Sequence, residues 1–328
     1  MNKISTRFTN NRPGEDWWFG FKKRNNISLK KPERLENLSA VQQADPFIIL
    51  GFYDLLQKTA EELDILDKPE CWFNLDETSF CRDPGSLKIA GAKGSPATRR
   101  TGGNGRDNTT VLSCVNASGE KLPPLVVFSG KNTWSSWLPV QDHPDACYSA
   151  TKKEWMTADL FYNWFRDVFL PQVKEKALLI LDGHGSHLSL ALAKLASEKN
   201  VTILKLPAHV LQPLERVIFK GLKSSYEQKL VNWQRAHPGD VLSRPGLVKI
   251  LCQIWETYLT PSLIQKSFQA TGIYDSAIPA RINRDVVDNA KFDPAKLKRH
   301  VETKTSEAWN LTRATTTVNT ATGQLNTG

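Results

Sequence analysis

The sequence predicts an α/β fold, a mixed sheet with helices packed on it. Two observations lead there. From Glu70 the chain turns to strands, and NTTVLSCVNASGEKLPPLVVFSG holds two β-rich runs joined at the turn signal Asn116-Ala117-Ser118-Gly119. Further on, short apolar runs alternate with helical patterns, which calls for strands covered by helices.

Taken in order, PGEDWWFGFKKRN (Pro13 to Asn25) predicts a helix: proline at the start, Glu15 and Asp16 early, and Lys22, Lys23 and Arg24 late, as the helix macrodipole favours. Trp17 and Phe21 share a face at i, i+4. A second helix is predicted around ADPFIILGFYDLLQKTAEEL and is broken at Lys68-Pro69. CWFNLDETSF is apolar on both sides of Asp76. TADLFYNWFRDVFLPQV is an amphipathic helix opened by a capping Thr157. KALLILDG is a short buried strand, SLALAKLASEKN a helix and VTILKLP another strand. Two mainly helical stretches follow, from about Gln212 to Ala236 and from Pro245 to Ala270. After Trp309 the chain ends in TRATTTVNTATGQLNTG, a polar, low-complexity stretch that predicts disorder.

The 328 residues suffice for one large domain or two ordinary ones, and 40% hydrophobic with 23% charged residues is a globular balance. No run approaches the roughly 18 apolar residues of a membrane span, and the amino terminus lacks the apolar core of a signal peptide. The five cysteines, at 71, 81, 114, 147 and 252, show no CxxC spacing, so a reduced, intracellular protein is the expectation. The net charge of +9 favours a polyanionic partner. Two basic clusters adjoin glycine, asparagine or proline: FKKRNNISLKKPER with Lys22, Lys23 and Arg24, and ATRRTGGNGRDN with Arg99, Arg100 and Arg106.

LLILDGHGSH, Leu178 to His187, delivers one aspartate to the end of an apolar run and surrounds it with glycine and histidine. DGHGSHLS looks like the histidine motif of subtilisin-like proteases. That chemistry also needs an orienting aspartate and a nucleophilic serine. The chain has neither an Asp-Ser/Thr-Gly string nor a Gly-Thr-Ser string, and Ser186 is not framed as G-x-S-x-G. A metal reading fits better. Asp76 and Asp182 end or interrupt apolar strands, and Glu215 opens a later helix. Hard cations such as Mg²⁺ take oxygen ligands, and two ions about 3.5–4 Å apart can clamp the attacking and leaving oxygens of a phosphodiester.

On those residues the chain resembles the DDE domain of pogo/Tigger-type transposases, a group related to the Jerky and centromere protein B families. WFNLDETSF is similar to their first-aspartate motif, LLILDGHGSH to the second and HVLQPLERVIFKGLK to the third-acid motif. NTTVLSCVNASGEKLPPLVVFSGKN resembles their hairpin block, and SFQATGIY their closing helix and turn. WWFGFKKRNNISLKKPE resembles the last helix and exit of their second helix-turn-helix. The resemblance implies an RNase H-like mixed five-stranded sheet flanked by helices. It implies residues 1–66 as a truncated remnant of the DNA-binding region with a linker helix, residues 67–290 as the endonuclease domain and residues 291–328 as a helical or disordered tail.

By the same resemblance Asp76, Asp182 and Glu215 are catalytic metal ligands, Glu215 standing where the family usually has aspartate. Two ions of Mg²⁺ or Mn²⁺ serve the active enzyme. DNA is the partner; from their basic clusters Lys22, Lys23, Arg24, Arg99, Arg100 and Arg106 are expected to contact it, a solvated loop being the bland reading of the last three, and His184 and His187 to orient the acid or touch phosphate. A homodimer and a nuclear location complete the expectation. The alternative is a domesticated nucleic-acid-binding protein, or a truncated transposon remnant, without cleavage.

Blander readings are assigned to several residues. Glu77 alternates with Asp76 along a strand and is taken as structural. Trp17, Trp155 and Trp164 have amphipathic spacing and are expected in the core. Trp134 and Trp137, in NTWSSW, are kept as a pair that could meet DNA.

Overall fold

The computed structural model describes residues 14–25, 45–82, 108–138, 146–152, 156–182, 189–207, 211–237 and 240–307. Two compact units divide the chain, 1–40 and 41–328. In the first, helix α1 (Glu15–Arg24) has Glu15 and Asp16 in its first turn and Lys22, Lys23 and Arg24 in its last. None of its residues is buried, so Trp17, 40% exposed and stacked on Phe21, corrects the core placement expected from its spacing. A pair of aromatics four apart satisfies one another on a helix without any core to enter.

The second unit is built on one sheet. Its strands are β1 (Trp72–Cys81), β2 (Asn108–Asn116), β3 (Leu125–Ser129), β4 (Cys147–Thr151), β5 (Ala177–Leu181) and β6 (Val201–Lys205). They lie in the order β4-β3-β2-β1-β5-β6. The pairs β1–β2 and β2–β3 are antiparallel, whereas β1–β5, β5–β6 and β3–β4 are parallel. Without β4 this is the expected RNase H-like sheet. The count is nevertheless six rather than five, because Cys147–Thr151 adds an edge strand beside β3. That segment, CYSAT, is short and has no fully buried residue, so its brief alternation gives periodicity little to detect.

Helices cover both faces. On one side pack α2 (Pro46–Glu62), α5 (Phe219–Ala236), α6 (Arg244–Tyr258) and α7 (Pro261–Thr271). They bury Phe52, Tyr53, Leu222, Ile254 and Phe268 against Trp72, Phe80, Leu178 and Ile180. On the other side α3 (Ala158–Trp164) and α4 (Leu190–Glu198) bury Phe161, Trp164 and Leu192 against Phe73, Leu75, Leu179 and Leu181. Strand β5 therefore has apolar partners on both faces, which explains its unbroken ALLIL.

Local chemistry sets the helix ends. Asp45, Thr157, Ser189, Ser243 and Thr260 each accept a hydrogen bond from a backbone N–H of the first turn. The cap predicted at Thr157 accepts from Leu160 N at 3.3 Å. Helix α7 stops on Gly272 at φ 66°, a left-handed position where a Cβ would collide with the Asn283 carbonyl. Tyr53 Oη donates to Thr271 O at 2.6 Å and so ties α2 to the end of α7. A further helix occupies 294–307. Its Lys296 and Lys304 pair with Asp45, the N-cap of α2, and with Asp54 near the middle of that helix. The low-complexity tail beyond residue 307 lies outside the described residues.

Candidate active site

The site forms where two parallel neighbours part. Strands β1 and β5 are paired through Leu75 and Leu181, and the next residue on each is an acid, Asp76 and Asp182. Strand β1 continues to Cys81 against β2, with Asp76 opposite Ser113, while β5 stops. Asp76 lies on the same strand face as Trp72, Asn74 and Phe80, toward α5 to α7. From that side a π-helical turn, Leu214–Ile218, leads into α5 and carries Glu215. Widened turns of this kind break the regular ladder and are often found at functional sites.

The three acids differ in exposure. Asp76 is 8% exposed, Asp182 is half-buried and Glu215 is exposed. Asp76 Oδ1 accepts from the Glu77 N–H at 2.8 Å, and among the described residues no donor reaches its Oδ2. Burial is the main reason that the Asp76 carboxyl is pushed up to about 8, and the negative charge of Glu215 is the next. The Glu77 N–H opposes that shift, while the charges of Asp182 and Glu77 add to it. The structure thus brings Asp76, Asp182 and Glu215 into one electrostatic neighbourhood. Among the described residues, however, no three carboxylates, imidazoles or thiols converge as a closed cage for an ion.

Glu77 is the residue that sequence reasoning set aside. It alternates with Asp76 and belongs to the face of Phe73 and Leu75, as the period of a strand requires. It is nonetheless electrically part of the site. Burial first, and then the charge of Asp182, push it up to about 7. Asp182, at a strand end, influences acids on both faces of β1. The sequence signal for this was available in the adjacent Asp76-Glu77 pair, but only the pairing of β1 with β5 gives it meaning.

Other site residues are placed as follows. Lys22, Lys23 and Arg24 form the last turn of α1, in the first unit. Arg99, Arg100, Arg106, Trp155, His184 and His187 lie outside the described residues. Trp137 is engaged within the protein: the Arg244 guanidinium sits 3.6 Å over its ring, and Phe128 meets it edge-on at 5.7 Å. Arg244 Nη2 also donates to Ser129 O at 2.9 Å. Trp134 is 60% exposed. Of the NTWSSW pair, Trp134 is the more exposed.

A mixed sheet with acids at the parting of its two central parallel strands defines the class as RNase H-like. Within that class, residues 106–268 match the family model described as DDE superfamily endonuclease, a stretch that includes Asp182 and Glu215. That stretch, just under half of the chain, carries the likeness to the DDE superfamily endonuclease. It is 30% identical over 233 residues to the Jerky protein homolog of Homo sapiens, covering 66% of this chain and 38% of that protein. To CENP-B homolog protein 2 of Schizosaccharomyces pombe it is 27% identical over 249 residues, 70% of this chain and 47% of the relative. Identity is 26% over 169 residues to the human pogo transposable element with KRAB domain, 49% of this chain and 27% of the relative. The chain thus spans less than half the length of each of these relatives. Among solved structures, the crystal structure of the Mos1 strand transfer complex is similar at 14% identity and a TM-score of 0.42, over 79% of this chain and 71% of that one.

Proposed function

We propose that the chain is a transposase-derived DNA-binding protein whose RNase H-like domain cuts phosphodiester bonds with divalent metal held by Asp76, Asp182 and Glu215. One observation carries the reading. A carboxylate is buried at the parting of two strands, with the charges of two further acids directed onto it. Such an arrangement costs stability unless a cation or proton relieves it. The donor set suits a hard cation: all oxygen, with Asp76 Oδ2 left without a donor among the described residues. A closed protein cage is not required, because Mg²⁺ is commonly held by one or two carboxylates together with water and substrate phosphate.

On this reading residues 67–290 are the catalytic domain. Asp76 supplies the buried oxygen, Asp182 the strand-end oxygen and Glu215 a rim oxygen. When bound, Mg²⁺ or Mn²⁺, as a pair of ions in the active enzyme, would supply positive charge at the attacking and leaving oxygens. The protein's own part is to hold these acids together against their repulsion and to shield Asp76 from water. The net charge of +9, with Lys22, Lys23, Arg24, Arg99, Arg100, Arg106, His184 and His187 as contacts, draws in the DNA backbone. The nucleus, where chromosomal DNA lies, is the compartment that goes with this activity, and a homodimer would bring two sites to two DNA ends.

A second reading, a binding protein that has lost cleavage, is favoured by the exposure of Glu215 and by the lack of three converged ligands among the described residues. Nicking of supercoiled plasmid in Mg²⁺ or Mn²⁺ separates the two. The wild-type chain is expected to nick. Asp182→Asn should lose several kcal/mol of transition-state stabilisation, on the order of a thousandfold in rate. A wild-type chain that binds DNA but never nicks it establishes the second reading.

Binding itself is expected to be salt-sensitive and tolerant of sequence, with log K falling linearly in log salt. Replacing Arg99, Arg100 and Arg106 together by alanine should flatten that slope. A slope unchanged by the triple substitution removes this loop from the DNA contact surface.

A further inference from the structure

We propose that Asn74 is a positioning residue whose side-chain amide sets the spacing of Asp76, Asp182 and Glu215; this rests on the metal-dependent reading above. Asn74 is fully buried, two residues before Asp76 and on the same face of β1. Its Nδ2 donates to Ile180 O at 3.0 Å. Its Oδ1 accepts from Leu214 N at 3.1 Å. Ile180 is two residues before Asp182, and Leu214 is immediately before Glu215. One amide therefore touches all three acid-bearing segments: it belongs to the first, donates to the second and accepts from the third.

The chain around Leu214 explains why a side chain from another segment is used. The π-helical turn starts after Pro213, whose side chain offers no cap, and its first N–H groups have no partner within the helix. Asn74 supplies the missing acceptor from the sheet. Gln212 adds a second stitch, its Nε2 donating to Leu75 O at 3.3 Å, between Asn74 and Asp76. The opening of α5 is thereby fixed to β1 on both sides of Pro213. Glu215 inherits that placement despite its exposure.

Asparagine is suited to this position by its inventory of groups. One oxygen acceptor and two N–H donors on a short planar stem serve both partners at once. Leucine has a similar volume but offers neither group. Aspartate would keep the acceptor, lose the donor toward Ile180 O and add a negative charge beside Asp76. The ordinary structural role, stitching a strand to a helix, makes the same two bonds, so the test must separate spacing of the acids from loss of fold.

The experiment compares Mn²⁺ binding, followed by the disappearance of the free-ion electron paramagnetic resonance signal, with plasmid nicking and thermal unfolding. It uses the full chain as wild type, Asn74→Leu and Ile254→Ala. Ile254 is a buried residue of α6 that belongs to none of the acid-bearing segments, so its variant reports general loss of packing. Loss of a partner that orients metal ligands typically weakens affinity by about 10–100-fold. Asn74→Leu is expected to fall in that range, and its nicking should recover as Mn²⁺ is raised. Ile254→Ala should bind Mn²⁺ as wild type does. Should Asn74→Leu not fold, Asn74→Thr, strand-tolerant and too short to reach both partners, replaces it with the same outcomes. Wild-type affinity in the Asn74 variant overturns the positioning role and leaves the metal reading standing. An equal loss in the Asn74 and Ile254 variants also overturns it, as a fold effect. A wild-type chain that binds no Mn²⁺ overturns the metal reading, and the role of Asn74 with it.

Discussion

Replacing Asp76 by asparagine is expected to flatten the pH dependence of stability of the metal-free protein between about pH 4 and pH 8. The ordinary value for aspartate, 3.8, is raised to about 8 in the folded chain, chiefly by burial and next by Glu215. Within this window the folded state keeps a proton that the unfolded chain has released. Folding therefore takes up a proton, and each rise in pH costs stability. The contribution is fully present below the unfolded value and is lost as pH climbs through the folded one. Its size is on the order of 5 kcal/mol across the window. Glu77, raised from 4.5 to about 7, has the same sign over a narrower range. Asp45 titrates in the opposite sense and below this window, because the Lys296 ammonium holds it low. Urea unfolding in chelator at pH 5, 6, 7 and 8 should show the wild type losing stability steadily and Asp76→Asn losing much less. Equal slopes for the two proteins would mean that Asp76 is not the strained group.

Truncation of Trp72 to alanine should cost about 3–5 kcal/mol. The side chain is fully buried at the start of β1, packed against Tyr274 with ring centroids 5.2 Å apart. Its Nε1 donates to Ile65 O at 2.9 Å, so the substitution also leaves that carbonyl without its donor. The indole thus joins the segment after α2, the sheet and the turn after α7. A loss below about 1 kcal/mol in denaturant unfolding would show that the residues after α2 are not packed into the core as the geometry requires.

The parts of the fold legible in the sequence are those that local chemistry determines. The apolar run ALLIL before Asp182 marks a strand buried on both faces, and Thr157 caps a helix because its hydroxyl is the right group in the right place. Asp76, Asp182 and Glu215 stand out in the sequence because each ends or interrupts an apolar run, or opens a helix, and the resemblance to the transposase domain is what gives them a proposed role. Edge strand β4 was not legible, since CYSAT is too short and too little buried to read as a strand alone and gains its strand geometry from pairing with β3. The part played by Glu77 depends on the strand end of β5 lying beside it, and the two bonds of Asn74 join residues far apart in the chain. No local pattern contains such information. Trp17 shows the converse: an i, i+4 aromatic pair predicts a shared face but not what that face meets.

The most direct measurement is a crystal of the chain grown or soaked with Mn²⁺ and examined by anomalous scattering. A peak bonded to Asp76 Oδ2 and an oxygen of Asp182, at the short distances of a hard cation, is the expected result. No peak between these carboxylates at saturating Mn²⁺, in crystals whose sheet is intact, would contradict a metal centre at the parting of β1 and β5.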